Sequence, residues 1–301
     1  MNDPFKSGYV ALVGCPNVGK STLLNALLGQ KVAIVSAKPQ TTRQRLGGIL
    51  TTDSYQIIFE DTPGILEPRD RFNEILVEEA RDVIRETDLI YHLIDASDRD
   101  PVPHEQIEFL ALSRKPKLLL LNKIDRLDWA FDFNSYTPPL DTTPYAEVLP
   151  ISGLKGYGLD ALLNATINLL HEGPKYFDED QLCDRDQRYL VAELVREKVF
   201  NLTGQEIPYG VFLEVEEFKE KEVGKYYIRI VIYVERDSQK GILIGKGGAL
   251  LKRIGQLARP EIETLIGAPV YLDLWVKVRK NWRKSEAELR RLGFIKKKGS
   301  R

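Results

Sequence analysis

Apolar residues in the first half of the chain come in short runs that alternate with segments of helical period. The runs predict buried strands, and the segments between them predict helices. Strands are predicted at 9–13, 55–60, 89–95, 118–121 and 148–151, and helices at 20–28, 74–85, 104–113 and 159–171. This alternation predicts an α/β domain with a mostly parallel sheet that carries helices on both faces.

The second half has a different order of elements: helix, two strands, two helices about a Gly-rich turn, and a strand. These elements are predicted at 187–202, 211–217, 226–235 and 270–278, with the helix pair before the last strand. Residues 173–186 are acidic, contain Gly-Pro and show no apolar period, so they are interpreted as a linker. The predicted boundaries are therefore a first domain at 1–172, a second at 187–279, and a basic, partly helical tail at 280–301.

Composition is consistent with two globular domains. The chain has 301 residues, of which 43% are hydrophobic, which is enough for two cores. No run of about 18 apolar residues predicts a transmembrane helix, and the N-terminus lacks the features of a secretory signal. Only two cysteines are present, Cys15 and Cys183. We therefore expect a reduced, cytoplasmic protein.

The net charge of −1 conceals an asymmetry between the two halves. Residues 186–301 contain 24 Lys and Arg against 16 Asp and Glu, a balance of +8, and residues 1–185 contain 19 against 28, a balance of −9. A basic second domain points to nucleic acid or to an anionic surface as its ligand. A solvated charged surface without a ligand is the alternative interpretation.

Residues 14–21 form a glycine-rich motif, G-x-x-x-x-G-K-[ST], between a predicted strand and a predicted helix. The backbone N–H groups of such a loop surround a polyphosphate, and the helix N-terminus adds a positive potential. We expect Lys20 to bridge the β- and γ-phosphates and the Ser21 hydroxyl to ligate Mg²⁺. The residues predicted to line this part of the site are Gly14, Cys15, Pro16, Asn17, Val18, Gly19, Lys20, Ser21 and Thr22.

An acidic turn follows the next clear strand and reads Asp61, Thr62, Pro63, Gly64. We expect the Asp61 carboxylate to hold Mg²⁺ through water and the Gly64 N–H to contact the γ-phosphate. Residues 40–43, with the sequence QTTR, precede this strand. A threonine hydroxyl there is expected to complete the Mg²⁺ shell; Thr42 is favoured and Thr41 is the close alternative.

Residues 122–125 predict which base is bound. Guanine presents two N–H donors on one edge, and the Asp125 carboxylate can accept both, whereas adenine offers no such pair. Asn122 is expected to tie this loop to the phosphate loop, and the stem of Lys123 to cover one face of the ring. Ser152 and Gly153 follow the last predicted strand, where their backbone amides are expected near the guanine O6.

The motifs GCPNVGKS, QTTR, DTPG, NKID and ISG, in this order, resemble the translation-factor-related branch of P-loop GTPases. Together with the segments DRDQRYLVAELVREKVFNLTGQEIPY and LDLWVKVRKNWR, they make nearly the whole chain resemble the Era family of bacterial GTPases. The resemblance implies a P-loop GTPase domain followed by an α+β type II K-homology (KH) domain. It also implies binding of the 3′ region of 16S ribosomal RNA and a role in assembly of the 30S subunit.

The turn at 245–248 fits the G-x-x-G loop with which a KH domain clamps about four nucleotides. Small residues allow the RNA backbone to approach closely, and the neighbouring apolar and basic side chains are expected to hold bases and phosphates. A tight helix–helix turn without a ligand is the alternative. The predicted RNA-binding residues are Ile244, Gly245, Lys246, Gly247, Gly248, Leu251, Lys252 and Arg253.

The candidate catalytic residues are Lys20, Thr42 and Gly64, and no histidine is a candidate general base. Ile65 occupies the position at which many small GTPases carry the glutamine that orients the attacking water, so slow intrinsic hydrolysis is expected. In related GTPases an asparagine at the position of Asn17 helps to hold K⁺, and we expect K⁺ to supply the missing positive charge. Stabilisation of the turn is the alternative role of Asn17.

Three other functions are alternatives to a GTP-switched RNA-binding factor. The NKID motif and the absence of a second substrate lid argue against a metabolic NTPase or kinase. The intact phosphate and guanine motifs argue against a passive RNA-binding protein. A GTPase that binds anionic membrane peripherally through its basic tail, where residues 277–301 hold 11 basic and 2 acidic residues, is the remaining alternative. The chain is expected to be a monomer without an obligate protein partner.

Overall fold

The computed structural model describes residues 4–36, 38, 41–64, 71–98, 100, 102–128, 136–204 and 206–295. Backbone proximity divides the chain into two units. The first unit comprises Met1–Ala33, Thr42–Arg69 and Leu76–Asp184. The second comprises Ile34–Thr41, Asp70–Ile75 and Arg185–Arg301.

A six-stranded sheet in the order β2-β3-β1-β4-β5-β6 forms the centre of the first unit. All neighbouring strands are parallel except β2, which runs antiparallel to β3 at the edge. The strands are β1 (Lys6–Gly14), β2 (Leu46–Thr51), β3 (Tyr55–Asp61), β4 (Leu89–Asp95), β5 (Lys117–Asn122) and β6 (Glu147–Pro150). The predicted α/β fold with a mostly parallel sheet is confirmed.

Helices α1 to α4 alternate with these strands. They are α1 (Lys20–Leu28), α2 (Arg71–Glu86), α3 (His104–Ala111) and α4 (Leu159–Leu169). All six residues of β5 are buried, in keeping with its unbroken apolar run. The motif loops leave the carboxyl ends of β1, β3 and β5 and therefore meet at one edge of the sheet. Among the helices of the described chain, none has the length and apolar character needed to traverse a bilayer.

Strand β2 was not predicted from the sequence. Its segment LGGILT contains Gly47 and Gly48, which weaken a strand pattern. The structure explains Gly48, because a Cβ atom there would lie 2.5 Å from the Leu24 side chain and 2.8 Å from that of Leu28. The glycine therefore lets helix α1 pack closely on the edge of the sheet, and this tertiary requirement overrides the local preference.

The predicted linker at 173–186 differs from the structure, because most of it packs on the first unit as an extended segment. The Ile49 N–H donates to the Leu182 carbonyl at 2.8 Å, and the Asp184 N–H donates to the Gly47 carbonyl at 2.9 Å. The buried Gln56 amide also bonds to the backbone of the segment. Backbone hydrogen bonds hold this polar stretch, and such bonds leave no apolar period in a sequence.

The second unit has the order α5, β7, β8, α7, α8, β9, as expected for a type II KH domain. Its three-stranded sheet pairs β7 antiparallel and β9 parallel to the central β8. One face of β8 joins the helices in a core that includes Ile228, Ile230 and Ile232, all 0% exposed. The elements are α5 (Gln187–Leu202), α6 (Ile207–Gly210), β7 (Phe212–Glu222), β8 (Lys225–Val234), α7 (Asp237–Ile244), α8 (Ala249–Ile266) and β9 (Val270–Val278).

The basic tail begins with a 3₁₀ turn, Trp282–Lys284, and a short helix α9, Glu286–Arg291. Trp282 is fully buried, and its indole N–H donates to the Gly210 carbonyl at 2.9 Å. Trp275, by contrast, is 51% exposed on β9. One of these two tryptophans therefore belongs to the core and the other to the surface.

Candidate nucleotide and RNA sites

The predicted phosphate loop connects the end of β1 to the first turn of α1. Gly19 has φ +103°, and a Cβ atom there would lie 2.4 Å from the Asn122 side-chain nitrogen, so only glycine fits. Asn17 has φ +63°, a left-handed conformation that asparagine tolerates better than most residues. This conformation gives Asn17 a backbone role that does not depend on a cation.

Lys20 lies inside the loop and is only 6% exposed. Its ammonium group donates to the carbonyl oxygens of Gly14 at 3.0 Å and of Cys15 at 3.1 Å. Burial lowers the pKa of Lys20, and the charge of Asp61 opposes this effect. The loop therefore holds the Lys20 ammonium group where it could contact a bound phosphate chain.

Three oxygen-bearing side chains meet beside Lys20. Asp61 Oδ2 accepts hydrogen bonds from Ser21 Oγ at 2.7 Å and from Thr42 Oγ1 at 2.9 Å, and the two hydroxyl oxygens lie 3.1 Å apart. Asp61 is fully buried, which raises its pKa against the opposing effects of Lys20 and the two hydroxyls. Its other carboxylate oxygen, Oδ1, is buried and has no hydrogen-bond partner among the residues that the structure describes.

This donor set fits Mg²⁺. Magnesium prefers oxygen ligands and is usually held by one or two carboxylates together with substrate phosphates. The unpaired Asp61 Oδ1 supplies unused acceptor capacity at the site. Within the described residues there is no cluster of three or more His, Cys, Asp or Glu side chains that would favour a different metal.

Of the two candidate threonines, the structure brings only the Thr42 side chain to this cluster. Thr41 belongs to the second unit, where its carbonyl accepts a hydrogen bond from Arg196 at 2.5 Å. The two consecutive threonines thus contact different partners. Sequence spacing could not separate them, because the two threonines are consecutive in the chain.

The acidic turn after β3 has mixed roles. The buried Thr62 hydroxyl donates to the Leu12 carbonyl at 2.7 Å, so it fastens the turn to β1. Pro63 is buried, whereas Gly64 is partly exposed and its Cα faces the phosphate loop: an added Cβ would lie 3.1 Å from Pro16. Ile65, the position predicted to lack the usual glutamine, lies outside the described residues.

Asn122 joins three loops through one amide group. Its nitrogen donates to the Val18 carbonyl at 2.8 Å, and its oxygen accepts from the Gly153 N–H at 3.0 Å. Asp125 Oδ1 accepts a hydrogen bond from the Ser152 hydroxyl at 2.5 Å. The predicted guanine-selecting residues and the predicted phosphate loop therefore form one connected structure.

Asp95 is a residue of this site that the sequence interpretation missed. It lies 2.7 Å from the Lys123 ammonium group and so fixes the lysine whose stem was expected to cover the base. Burial would raise the pKa of Asp95, but hydrogen bonds from Lys123 and Ser97 outweigh it and keep the pKa below its ordinary value. Asp95 pairs in register with Asn122 in the sheet, so aligning the strand ends could have revealed it.

The predicted RNA turn joins α7 to α8 through a single 3₁₀ turn at 246–248. Its three glycines have positive φ angles of +74°, +59° and +81°, for Gly245, Gly247 and Gly248. A Cβ atom on Gly245 would lie 2.9 Å from the Leu250 backbone nitrogen, whereas Gly247 and Gly248 face open space. The turn therefore presents bare backbone to solvent, as close approach of a nucleic acid requires.

The side chains around this turn divide into apolar and charged groups. Ile244 and Leu251 are partly buried against the core of the unit. Lys246, Lys252 and Arg253 are exposed, and none of these three is ion-paired with a residue that the structure describes. Ile242, which the sequence interpretation did not single out, is 56% exposed beside the turn and extends its apolar surface.

Two family models match separate parts of the chain. A model described as 50S ribosome-binding GTPase matches residues 9–123, and a KH domain model matches residues 206–283. A curated relative, GTPase Era of Geobacter metallireducens, is 46% identical over 296 residues, which are 97% of this chain and 99% of the relative.

Two solved structures are similar over nearly the full length. One is Era in complex with MgGDPNP and nucleotides 1506–1542 of 16S ribosomal RNA, with a TM-score of 0.87, 39% identity, and coverage of 96% of this chain and 99% of that chain. The other is a variant of Aquifex aeolicus Era bound to GDP and AlF4−, with a TM-score of 0.90, 40% identity and the same coverage.

Proposed function

This chain belongs to the Era family of GTPases, and we propose that it is a GTP-hydrolysing switch that binds the 3′ region of 16S ribosomal RNA and assists 30S subunit assembly. The observation that carries the proposal is the joining of the phosphate, guanine and 151–153 loops through Asn122. The connected site supports GTP hydrolysis, and the full-length match to GTPase Era supports both GTP hydrolysis and RNA binding. We propose the cytoplasm as its location.

For the nucleotide, we propose that residues 14–22 surround the phosphates and that Asp125 accepts the guanine N–H groups. Lys20 would exchange its two carbonyl contacts for phosphate oxygens, and the Gly64 N–H would contact the γ-phosphate. Ser21, Thr42 and Asp61, the last through water, would hold Mg²⁺, which supplies charge neutralisation on the β- and γ-phosphates. The convergence of their oxygens supports this assignment.

For hydrolysis, we propose that Asn17 helps to hold K⁺ beside the phosphates. Asn17 lies at an exposed position of the loop, which supports access to an ion. Single-turnover GTP hydrolysis in KCl and in NaCl at equal ionic strength tests this proposal. Faster hydrolysis in KCl that disappears in Asn17→Ala supports it, and equal rates in the two salts contradict it.

For RNA, we propose that the bare turn at 245–248 clamps the ribosomal RNA backbone and that Lys246, Lys252 and Arg253 contact phosphates. Three glycines with positive φ, of which Gly247 is exposed, and three basic residues free of described ion pairs support this assignment. The test is fluorescence anisotropy with a 16S 3′-end fragment and with the same nucleotides in scrambled order. At least tenfold tighter binding of the natural order is expected, and equal affinities contradict the proposal.

A membrane-surface GTPase is the alternative, and a liposome-pelleting experiment separates it from this proposal. Liposomes that contain anionic lipid are pelleted with the protein in the presence and absence of the 16S fragment. The proposal predicts little pelleting at physiological salt and none with RNA bound. Strong pelleting that RNA does not displace contradicts it.

A further inference from the structure

A chain of hydrogen bonds with a buried centre runs from the phosphate loop into the interior of the first unit. The Cys15 thiol donates to Gln106 Oε1 at 3.0 Å. On the other side of the amide, Gln106 Nε2 lies 2.6 Å from His92 Nε2. His92 Nδ1 in turn lies 2.5 Å from the Tyr145 hydroxyl oxygen. Gln106 and His92 are 1% and 0% exposed, so water does not compete for the contact between them.

The chemistry of the groups fixes the direction of this chain. An amide nitrogen only donates, so His92 Nε2 must be the acceptor from Gln106. The imidazole proton must then sit on Nδ1, from which it donates to the Tyr145 oxygen. Burial lowers the pKa of His92 to about 4 and raises the pKa of Tyr145 to about 12, so both remain neutral near pH 7.

Cys15 connects this chain to the phosphate site. Its backbone carbonyl accepts from the Lys20 ammonium group at 3.1 Å, while its side chain is held by Gln106 on the other side. Fixing the Cys15 side chain therefore fixes one of the two carbonyls that position Lys20. A hydrogen-bond network with a buried centre restrains the loop that it holds, and a loop that is rigid before binding loses less entropy when it binds its ligand.

We propose that Gln106 and His92 are positioning residues for the nucleotide: through the Cys15 thiol, they hold the phosphate loop in its binding conformation. This inference rests on the proposed phosphate-binding role of residues 14–21. It adds two side chains that do not touch the nucleotide, Gln106 from α3 and His92 from β4, to the set that determines its affinity.

The first test reads the tautomer of His92. The chain has three histidines, His92, His104 and His171, so ¹⁵N-histidine labelling gives few NMR signals. At pH 7 we expect one neutral ring that carries its proton on Nδ1, and we expect its signal to be absent from the spectrum of His92→Gln. A proton on Nε2 of His92 overturns the proposal, because Gln106 could then not donate to it.

The second test measures release of a fluorescent GDP analogue from Cys15→Ser and Cys15→Ala. Serine keeps a donor to Gln106, whereas alanine removes it at similar volume. A hydrogen-bonding role predicts about three- to tenfold faster release for alanine than for serine. Equal release rates for the two variants overturn the proposal, because a packing role would not favour the more polar side chain.

The same comparison in a Gln106→Leu background completes the test. The acceptor is then absent, so Cys15→Ala and Cys15→Ser are expected to release GDP at equal rates. The same alanine effect in this background overturns the proposal.

If the unaltered protein fails to bind the analogue, the proposed phosphate site itself is wrong. If it binds but serine and alanine do not differ, only the positioning role is wrong.

Discussion

Asn122 illustrates how far a single residue could be predicted. The motif indicated that its amide would tie the guanine loop to the phosphate loop, and the bond to the Val18 carbonyl does so. The second bond, from the Gly153 N–H to the same amide, was not predicted. It depends on the spatial proximity of two loops 31 residues apart, which no local pattern records.

At Asp125, a change of one functional group tests base selection. Asp125→Asn replaces one acceptor oxygen by a donor, so it should repel the guanine N–H groups and accept xanthine, which presents an acceptor at C2. Competition against a fluorescent GDP analogue should show GTP affinity reduced at least tenfold and xanthosine triphosphate preferred. Asp128→Asn, the same change three residues further on, should leave the preference for GTP intact. An unchanged preference in Asp125→Asn contradicts the assignment.

At His92, burial predicts a dependence of stability on pH. Its folded pKa of about 4 lies below the ordinary value of 6.5, so below pH 6.5 the unfolded chain takes up a proton that the folded protein refuses. The contribution of neutral His92 to the free energy of unfolding is complete above pH 6.5 and is lost as pH falls towards 4. At pH 5 it is smaller by about 2 kcal/mol.

Urea unfolding at pH 7 and pH 5 measures this effect. The fall in the free energy of unfolding should be smaller by about 2 kcal/mol in His92→Gln than in the unaltered protein. His104→Gln is the control, because His104 is exposed. If both variants lose as much stability between pH 7 and pH 5 as the unaltered protein does, the assignment of His92 as buried and neutral is wrong.

The sequence could not decide between Thr41 and Thr42, nor find Asp95 or Gln106. Adjacent residues can have different partners, as Thr41 and Thr42 do, and the choice between them depends on tertiary contacts. Asp95 and Gln106 act through partners that are distant in the chain, Lys123 and Cys15. Motifs identify the residues expected to touch the ligand, whereas the residues that position them follow only from the fold.

Among the elements, those with a clear apolar period were predicted well. Strands β4 and β5 and helix α5 agree with their predicted ranges to within one residue. Strand β2 and the segment 173–184 were not recognised. Glycines required by helix packing interrupt the first, and backbone hydrogen bonds rather than buried side chains hold the second.

The turn between α7 and α8 permits a matched pair of substitutions. Gly247→Asp introduces a negative charge where RNA phosphates are expected and should weaken binding of the 16S fragment at least tenfold, without changing GDP affinity. Gly224→Asp is the control, because Gly224 also has positive φ and faces open space, but lies in the β7–β8 hairpin. It adds the same strain and charge outside the turn.

Anisotropy titrations with the RNA fragment and with a fluorescent GDP analogue measure both affinities. Equal loss of RNA binding in the two variants would show that general charge, rather than the turn, is responsible. Unchanged RNA binding in Gly247→Asp contradicts the clamp directly. Thermal melting of both variants checks that the domain remains folded.

For the whole molecule, the order of motifs along the chain predicted the family, and the full-length match to GTPase Era confirms it. Domain boundaries were harder to predict. Segments 34–41 and 70–75 come early in the chain, yet they group with the second unit. Sequence patterns divide a chain into consecutive pieces, whereas packing can assign a short segment to a distant partner.

A switch requires that RNA bind the two nucleotide states with different affinities. Our expectation is that GTP exposes the groove beside the turn at 245–248, where RNA is expected to bind, and that hydrolysis resets it. Because linkage is reciprocal, the 16S fragment must then also tighten binding of the GTP form relative to the GDP form. This coupling distinguishes a switch from two independent binding modules in one chain.

The most direct measurement is the affinity of the full chain for the 16S 3′-end fragment with saturating GDPNP and with saturating GDP, at one salt concentration. We predict at least tenfold tighter binding in the GDPNP state, a difference of about 1.4 kcal/mol. Equal affinities in the two states would contradict the proposed switch.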